Sequence, residues 1–430
     1  MAAAAAFSAV LTTEHALDGV SAASGLEISG GRCWAAGDDS VFLYELDLGL
    51  DGVPDSTAIA PRVVKKLRLC ASRDVDAASG AVRSEEGIPK KLKPDFEAIA
   101  ALPFEGETHI AAGLRDAIVL LNPDTGASRA FDGAALFSAL RAEPRVTGTA
   151  KLNLEAAAVV GGGSHLALFQ RGNIPGGHNA VALYALADFE AFLRGQGSGD
   201  AAADGAAGVV VTRPPLRYAV VHLLLPPIAE RGGGGNAYLA GVSGASTVTV
   251  PLPRRDGRAS ASADAGHAAA AAAAPEGGDG VDADEDGAGE EFLLLSASYE
   301  ATLNEIDDGP VLGSRVALLP SSRLLALTDN GDVTDDVIDG AAPVPSVDLS
   351  DLSALILPPG RGDGGNPEPV LAKVEGIAAV ACSCSRGAAG EGVVRVAALA
   401  VTDPDGEASA VLQVAVAAPA GLLRGALAAA

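Results

Sequence analysis

One short phrase recurs along this chain and limits what it can fold into. It reads Ser-Gly-Leu-Glu-Ile at 24–28, Asp-Phe-Glu-Ala-Ile-Ala at 95–100, Asn-Leu-Glu-Ala-Ala-Ala at 153–158 and Val-Glu-Gly-Ile-Ala at 374–378. A copy without the glutamate, Val-Ser-Gly-Ala-Ser, stands at 242–246. Each copy opens a β-rich segment with one polar residue among small ones. A long repeat with several strands per unit predicts an all-β fold, a β-propeller. Small residues suit the crowded innermost strand, and a glutamate there would face a central channel.

Runs of β-forming residues bounded by Gly, Asp and Pro give the strands of each unit. In the first unit they cover 24–29, 32–37, 41–48 and 63–69. The second has Glu97 on its first strand, then 108–113 and 117–122. The third has Glu155, 165–170, 179–186 and 219–225, with a surface helix over 186–194. The fourth has 239–250, 291–298, 314–319 and 324–327, and the fifth only 374–381, 393–401 and 408–416. The unassigned stretch 7–13 would then pair beside 408–416 and close the ring, sparing it an open edge. This predicts five four-stranded blades in a single domain over 1–430, with six blades as the alternative if 329–372 hides strands. Residues 195–208 and 254–290 are low-complexity inserts with almost no bulky apolar residue, and disorder is expected there. Residues 329–372 are rich in Asp, Pro and Gly and read as loop.

The net charge of −25 argues against nucleic acid and anionic membrane surfaces as partners. It suits a cation site, and equally a solvated surface. Aromatic residues are only 4%, so the core must come from Val, Leu, Ile and Ala. Cys382-Ser-Cys384 lacks the usual zinc-ligand spacing, and with Cys33 and Cys70 it reads as structural thiols. No run reaches the length of a membrane span. The apolar N-terminus has no basic segment before it, which favours a cytoplasmic or organellar location over secretion. The chain is expected to act as a monomer.

Three groups of residues could carry chemistry. Glu27, Glu97, Glu155 and Glu375 would converge on the channel, where several carboxylates cannot all stay charged without compensation. Calcium would supply it. So would Lys93, Lys151 and Lys373, which lie an even number of residues before a glutamate and thus on the same strand face. Second, the second strand of each unit ends in polar residues: Asp38, Arg115, Arg171 with Asn173, Tyr299 with Glu300, and Asp403. Around one mouth of the channel they could hold a small anionic ligand through the arginines, or simply shape turns. Arg115, Arg171, Glu300 and Asp403 are the catalytic candidates. Third, the acidic turn 304–310 could cover the channel or remain a solvated loop. His178, in Gly-Gly-His-Asn beside Arg171, is the one histidine that could act as acid or base there. Phosphate-binding loops, nucleophile elbows and zinc-protease motifs are absent from the sequence.

Taken together, Lys93-Pro-Asp-Phe-Glu97, Leu152-Asn-Leu-Glu155, Gln170-Arg-Gly-Asn173, Asp307-Asp-Gly-Pro-Val-Leu-Gly313, Lys373-Val-Glu-Gly-Ile377 and Val401-Thr-Asp403 resemble an uncharacterised bacterial β-propeller family, a domain of unknown function. That family is similar to phytase-like and esterase-like propeller proteins. The resemblance spans roughly 24–416 and implies a β-propeller. It also implies that a calcium ion ringed by acids could assist hydrolysis of phosphate or carboxylic esters at the channel, although the lysines here depart from that pattern. The alternative is a non-catalytic propeller that binds a ligand or protein.

Overall fold

Short runs of β-forming residues bounded by turn residues recur along the chain, and in a computed structural model they yield mostly β structure in several sheets. The structure describes residues 6–49, 61–76, 79, 81–114, 117–195, 217–229, 237–252, 289–302, 309–327, 344–358, 369–386, 392–403 and 409–429. Strand β1 (Ser8–Ala16) comes first. It is followed by a four-stranded sheet in chain order, β2 (Ala23–Ser29), β3 (Arg32–Gly37), β4 (Phe42–Asp47) and β5 (Arg62–Arg68). A second such sheet contains β6 (Ile99–Phe104), β7 (Glu107–Leu114), β8 (Ala117–Leu121) and β9 (Ser128–Asp132). Helices α1 (Ala134–Arg141) and α2 (Pro144–Thr147) lead into a third, made of β10 (Leu154–Val160), β11 (His165–Gln170), β12 (Ala180–Ala185) and, after α3 (Leu186–Gly195), β13 (Ala219–Leu224). A ribbon of β14 (Ile228–Ala229) and β15 (Ala237–Tyr238) precedes β16 (Ala240–Val250), β17 (Glu290–Glu300), β18 (Val311–Pro320) and α4 (Ser321–Ala326). The chain continues through β19 (Ser346–Asp348), β20 (Ser353–Leu357), β21 (Val374–Arg386), β22 (Gly392–Thr402), β23 (Ala410–Pro419) and α5 (Ala420–Ala428).

The last strands form one eight-stranded sheet in the order β16-β17-β18-β20-β1-β23-β22-β21. Strand β1 is its seam, antiparallel to β23 with Ser8 opposite Ala417 and parallel to β20 with Ala9 opposite Ile356. The first strands of the five strand groups neighbour one another in cyclic order, β2, β6, β10, β16, β21 and back to β2. Apolar side chains fill the space between successive groups. Trp34, Leu43, Ile110 and Leu121 pack between the first and second, and Phe131, Leu140, Leu186 and Phe189 between the second and third. Phe169, Phe292, Leu318 and Val396 belong to the largest cluster, spanning the third to fifth, and Leu26, Tyr44 and Leu399 join the fifth to the first. Full burial of each such side chain contributes on the order of 2 kcal/mol.

The small residues of the recurring phrase have a steric cause. A Cβ on Gly376 would come 2.8 Å from the backbone nitrogen of Leu26, and one on Gly244 would come 2.8 Å from that of Ile377. The first strands thus approach backbone to backbone, which glycine alone permits without a shift.

Several sequence expectations change here. Residues 324–327 are not a strand. Pro320 precedes the helix α4, which buries Leu324. The fourth strand of that group is instead β20, from a segment read as loop. The other strand in that segment, β19, adds to the edge of the third sheet. Neither starts a sixth group among the described residues. Strand β6 begins two residues after Glu97, so Glu97 stands ahead of the strand rather than on it. Strand β9, α1 and α2 went unread. The expected disorder at 195–208 and 254–290 falls almost wholly outside the described residues, although Gly195 ends α3 and Glu290 opens β17.

Candidate functional site

A β-bulge opens four of the five first strands. Pairing skips one residue between Ala23 and Gly25, Leu154 and Ala156, Val242 and Gly244, and Val374 and Gly376. The extra residues are Ser24, Glu155, Ser243 and Glu375. A bulge re-aims the side chain of its extra residue, so these four are structural counterparts, with Glu97 just ahead of β6 as the fifth. The Ser24 hydroxyl donates to the carbonyl of Phe96, and that of Ser243 donates to the carbonyl of Val374. Each serine thus ties its strand to the residue before a neighbouring glutamate.

Glu27 therefore does not converge with the other three glutamates, as the sequence reading expected. Ser24 holds that position, three residues earlier. The Glu27 carboxyl is pushed up to about 7 by burial, opposed by hydrogen bonds from the backbone N–H groups of Ala101 and Ile28. Its neighbour Cys33 is pushed up to about 12, by burial and then by Glu27.

Arg171 anchors the centre. Its backbone is fixed by Gln170, whose amide donates to the carbonyls of Lys151 and Arg171 at 2.9 Å and accepts from Asn153 N at 2.7 Å. Its guanidinium lies 3.1 Å from Glu155, 3.0 Å from Glu300 and 3.9 Å from Glu375. Lys373 adds contacts of 3.1 Å to Glu375 and 3.4 Å to Glu300. All five side chains are at least nine-tenths buried. Asn153 donates to Glu155 at 2.6 Å and Asn173 to Glu300 at 3.4 Å. Burial pushes Glu375 up to about 7, against the pull of Arg171 and Lys373. Burial works against the Arg171 charge, but Glu155, Glu375 and Glu300 outweigh it. Gly241 makes the bridge possible, since a Cβ there would lie 2.6 Å from Arg171 Cγ. The void between Gly25, Glu155, Gly244 and Gly376 measures about 10 Å3, room for about one water. A substrate does not enter through it.

Beside this cluster, Asp38 and Asp95 share Lys93, the latter at 3.2 Å. Asp95 has φ of +69°, an uncommon backbone state that Asp tolerates, and its N–H donates to the Asp38 carbonyl at 2.9 Å. Carboxylate oxygens of Asp38, Asp95 and Glu97 lie within 4.8 Å of one another. Burial raises Asp38 to about 6 against the effect of Lys93, with Asp403 and Asp39 adding to the rise. Burial lowers the Lys93 pKa, but Asp38, then Asp95 and Glu97, hold it above its usual value. Glu97 is raised well above the carboxylate range by burial, then by Glu155 and Asp95.

The remaining candidates divide. Asp403 stands near Asp38. Tyr299 looks away from Arg171, donating to the Pro226 carbonyl at 2.6 Å and accepting from Arg315 at 2.8 Å. His178 stacks on His222 at 4.3 Å. Arg115 and the acidic turn at 304–308 lie outside the described residues. Lys93 serves Asp38 rather than bonding Glu97, and Lys373 pairs with Glu375 as its even spacing suggested.

Sequence reasoning missed a large cavity. It measures about 460 Å3 and lies between the second and third sheets. Ala100, Ala111 and Ile118 line one wall, Leu166 and Leu168 the other, and Phe137 of α1 closes it. Asp95, Glu97, Arg141, Lys151 and Asn153 form its polar lining. The signal was the apolar face of α1, with Leu136, Phe137 and Leu140 at helical spacing, in a segment that had no assigned element.

Residues 19–205 match the model of a family described as "Family of unknown function (DUF6929)". That stretch contains the first two sheets, the third through α3, and every lining residue of the cavity. No curated protein matches the chain. Among solved structures, hydrazine synthase of Kuenenia stuttgartiensis is similar at 8% identity, over 89% of this chain and 78% of that one, with a TM-score of 0.30. A likeness that slight carries no argument about function.

Proposed function

We propose that the chain is a five-bladed β-propeller that binds a small molecule in the cavity between its second and third sheets without transforming it. The cyclic neighbourhood of β2, β6, β10, β16 and β21 supports the propeller. The cavity supports the binding role. Its volume of about 460 Å3 lies in the range of small-molecule sites, and apolar walls with a few polar groups at one side are their usual make-up. The ester-hydrolase reading has less behind it. Arg171 and Lys373 already hold Glu155, Glu300 and Glu375, and Lys93 holds Asp38 and Asp95, so a divalent cation at either cluster would have to displace a bound cationic side chain. An anionic ligand at Arg171 would likewise have to displace three acids.

The test is a small-molecule screen by thermal shift, run in parallel on the natural chain and on Ala111→Trp, which fills the cavity. Ligands that raise the melting temperature of the first and not the second support the reading. A screen without such ligands, or hits that persist in the variant, would overturn it.

A further inference from the structure

We propose that the cavity selects an organic cation, an amine with an apolar body, and that the Glu97 carboxylate receives its ammonium group. This rests on the binding role proposed for the cavity and names the ligand class.

Acidic residues gather beside one end of the cavity, where Asp95 and Glu97 line it. Among the described residues, Asp38, Asp95, Glu97, Glu155, Glu300, Glu375 and Asp403 are close enough to influence one another through a shared set of contacts. Only Lys93, Arg171 and Lys373 compensate them from within. Arg141 and Lys151 sit exposed on the cavity rim, and each already has a partner. The one acid that lines the cavity with neither an ion pair nor a hydrogen bond to a described residue is Glu97. Glu155 and Asp38 act on it from neighbouring segments and Lys93 and Asp95 from its own, while Lys151 lines the same cavity at its rim.

Such a site disfavours anions and rewards an incoming positive charge. The walls then set the rest of the ligand, since Ala100, Ile118, Leu166 and Leu168 offer only apolar contact. Burial, then Glu155 and Asp95, raise the Glu97 carboxyl and favour its protonated form while the cavity holds no cation. Arrival of an ammonium ion makes the carboxylate favourable, so the Glu97 proton leaves to solvent as the N–H⁺···O⁻ bonds form. Binding should therefore release up to one proton and tighten as pH rises, for as long as the amine stays protonated.

The experiment is titration calorimetry of the full chain with 2-phenylethylamine, 2-phenylethanol, 3-phenylpropanoate and calcium chloride. Each is run at pH 6 and 8 in buffers of different ionisation enthalpy, so that proton release is read directly. The expected result is preferential binding of the amine, tighter at pH 8, with proton release. In Glu97→Gln, which keeps shape and removes the titrating group, amine affinity should fall about tenfold or more and the proton signal should vanish. In Ala111→Trp all organic probes should lose binding. Equal binding of the alcohol, or tighter binding of the carboxylate, overturns the charge selection and leaves the cavity reading standing. Calcium that displaces the amine and loses affinity in Glu97→Gln overturns it in favour of a metal site. If no organic probe binds, both readings fail.

Discussion

Glu27 and Arg171 show how differently one residue can matter in a chain this acidic. Glu27 is a raised acid, so its folded form prefers the proton more than its unfolded form does. Its contribution is therefore neutral to stability below about pH 4.5 and turns unfavourable as pH climbs toward 7 and beyond. Glu27→Gln should leave urea stability unchanged near pH 4 and raise it by about 1–3 kcal/mol at pH 8. Equal effects at the two pH values would show that the carboxyl is not held protonated. Arg171→Met should do the opposite. It strips the shared cation from Glu155, Glu300 and Glu375 and should cost about 3–5 kcal/mol. Urea unfolding should show a smaller loss at pH 5 than at pH 8, because the Glu375 carboxyl, raised to about 7, is protonated at the lower pH and needs no partner there. At this scale the sequence was half legible. The even spacing of Lys373 and Glu375 identified a real pair. Glu27 was misassigned because units were matched on the letter Glu, whereas the bulge position shared with Glu155 and Glu375 falls on Ser24, three residues earlier.

At the scale of the element, glycines in the first strands test the close approach directly. Gly376→Ala puts a methyl against the Leu26 backbone, which cannot swing aside as a side chain could. It should cost about 1–3 kcal/mol or more. Gly425→Ala, in α5 with open space around it, should instead gain up to about 1 kcal/mol from helix propensity. Thermal or urea unfolding of the pair separates crowding from a general intolerance of alanine. Most strands were readable because runs of β-forming residues with turn residues at their ends marked them. The exceptions are instructive. The Leu-rich run after Pro320 has strand-like letters, but its buried residues recur at helical spacing and it coils as α4. Strand β20 is five residues long, and its pairing with β18 and β1 comes entirely from distant chain. Local pattern could not show that, nor could it show a cavity whose walls come from two sheets.

At the scale of the molecule, the first residues and the last are one structure. Strand β1 pairs along its length with β23, while its other edge meets β20. Ala9 lies in the largest apolar cluster, together with Phe7 and Leu11 at its margin. Leu17 N–H and the Ala23 N–H continue the seam by donating to the carbonyl and hydroxyl of Ser409. Removing residues 1–16 would expose two strand edges at once, and such edges invite pairing with other chains. The loss also reaches every strand group through the cyclic packing of the first strands. The shortened chain should therefore melt lower by on the order of 10 °C, as expected for a loss of several kcal/mol in a large domain. It should also aggregate on heating, and a synthetic peptide spanning 6–17 should partly restore the melting temperature by strand addition. A truncated chain that melts like the full one would mean that β1 is an ornament on a ring already closed by β20 and β23. The peptide decides between seam and ornament, since only an open seam has a place for it.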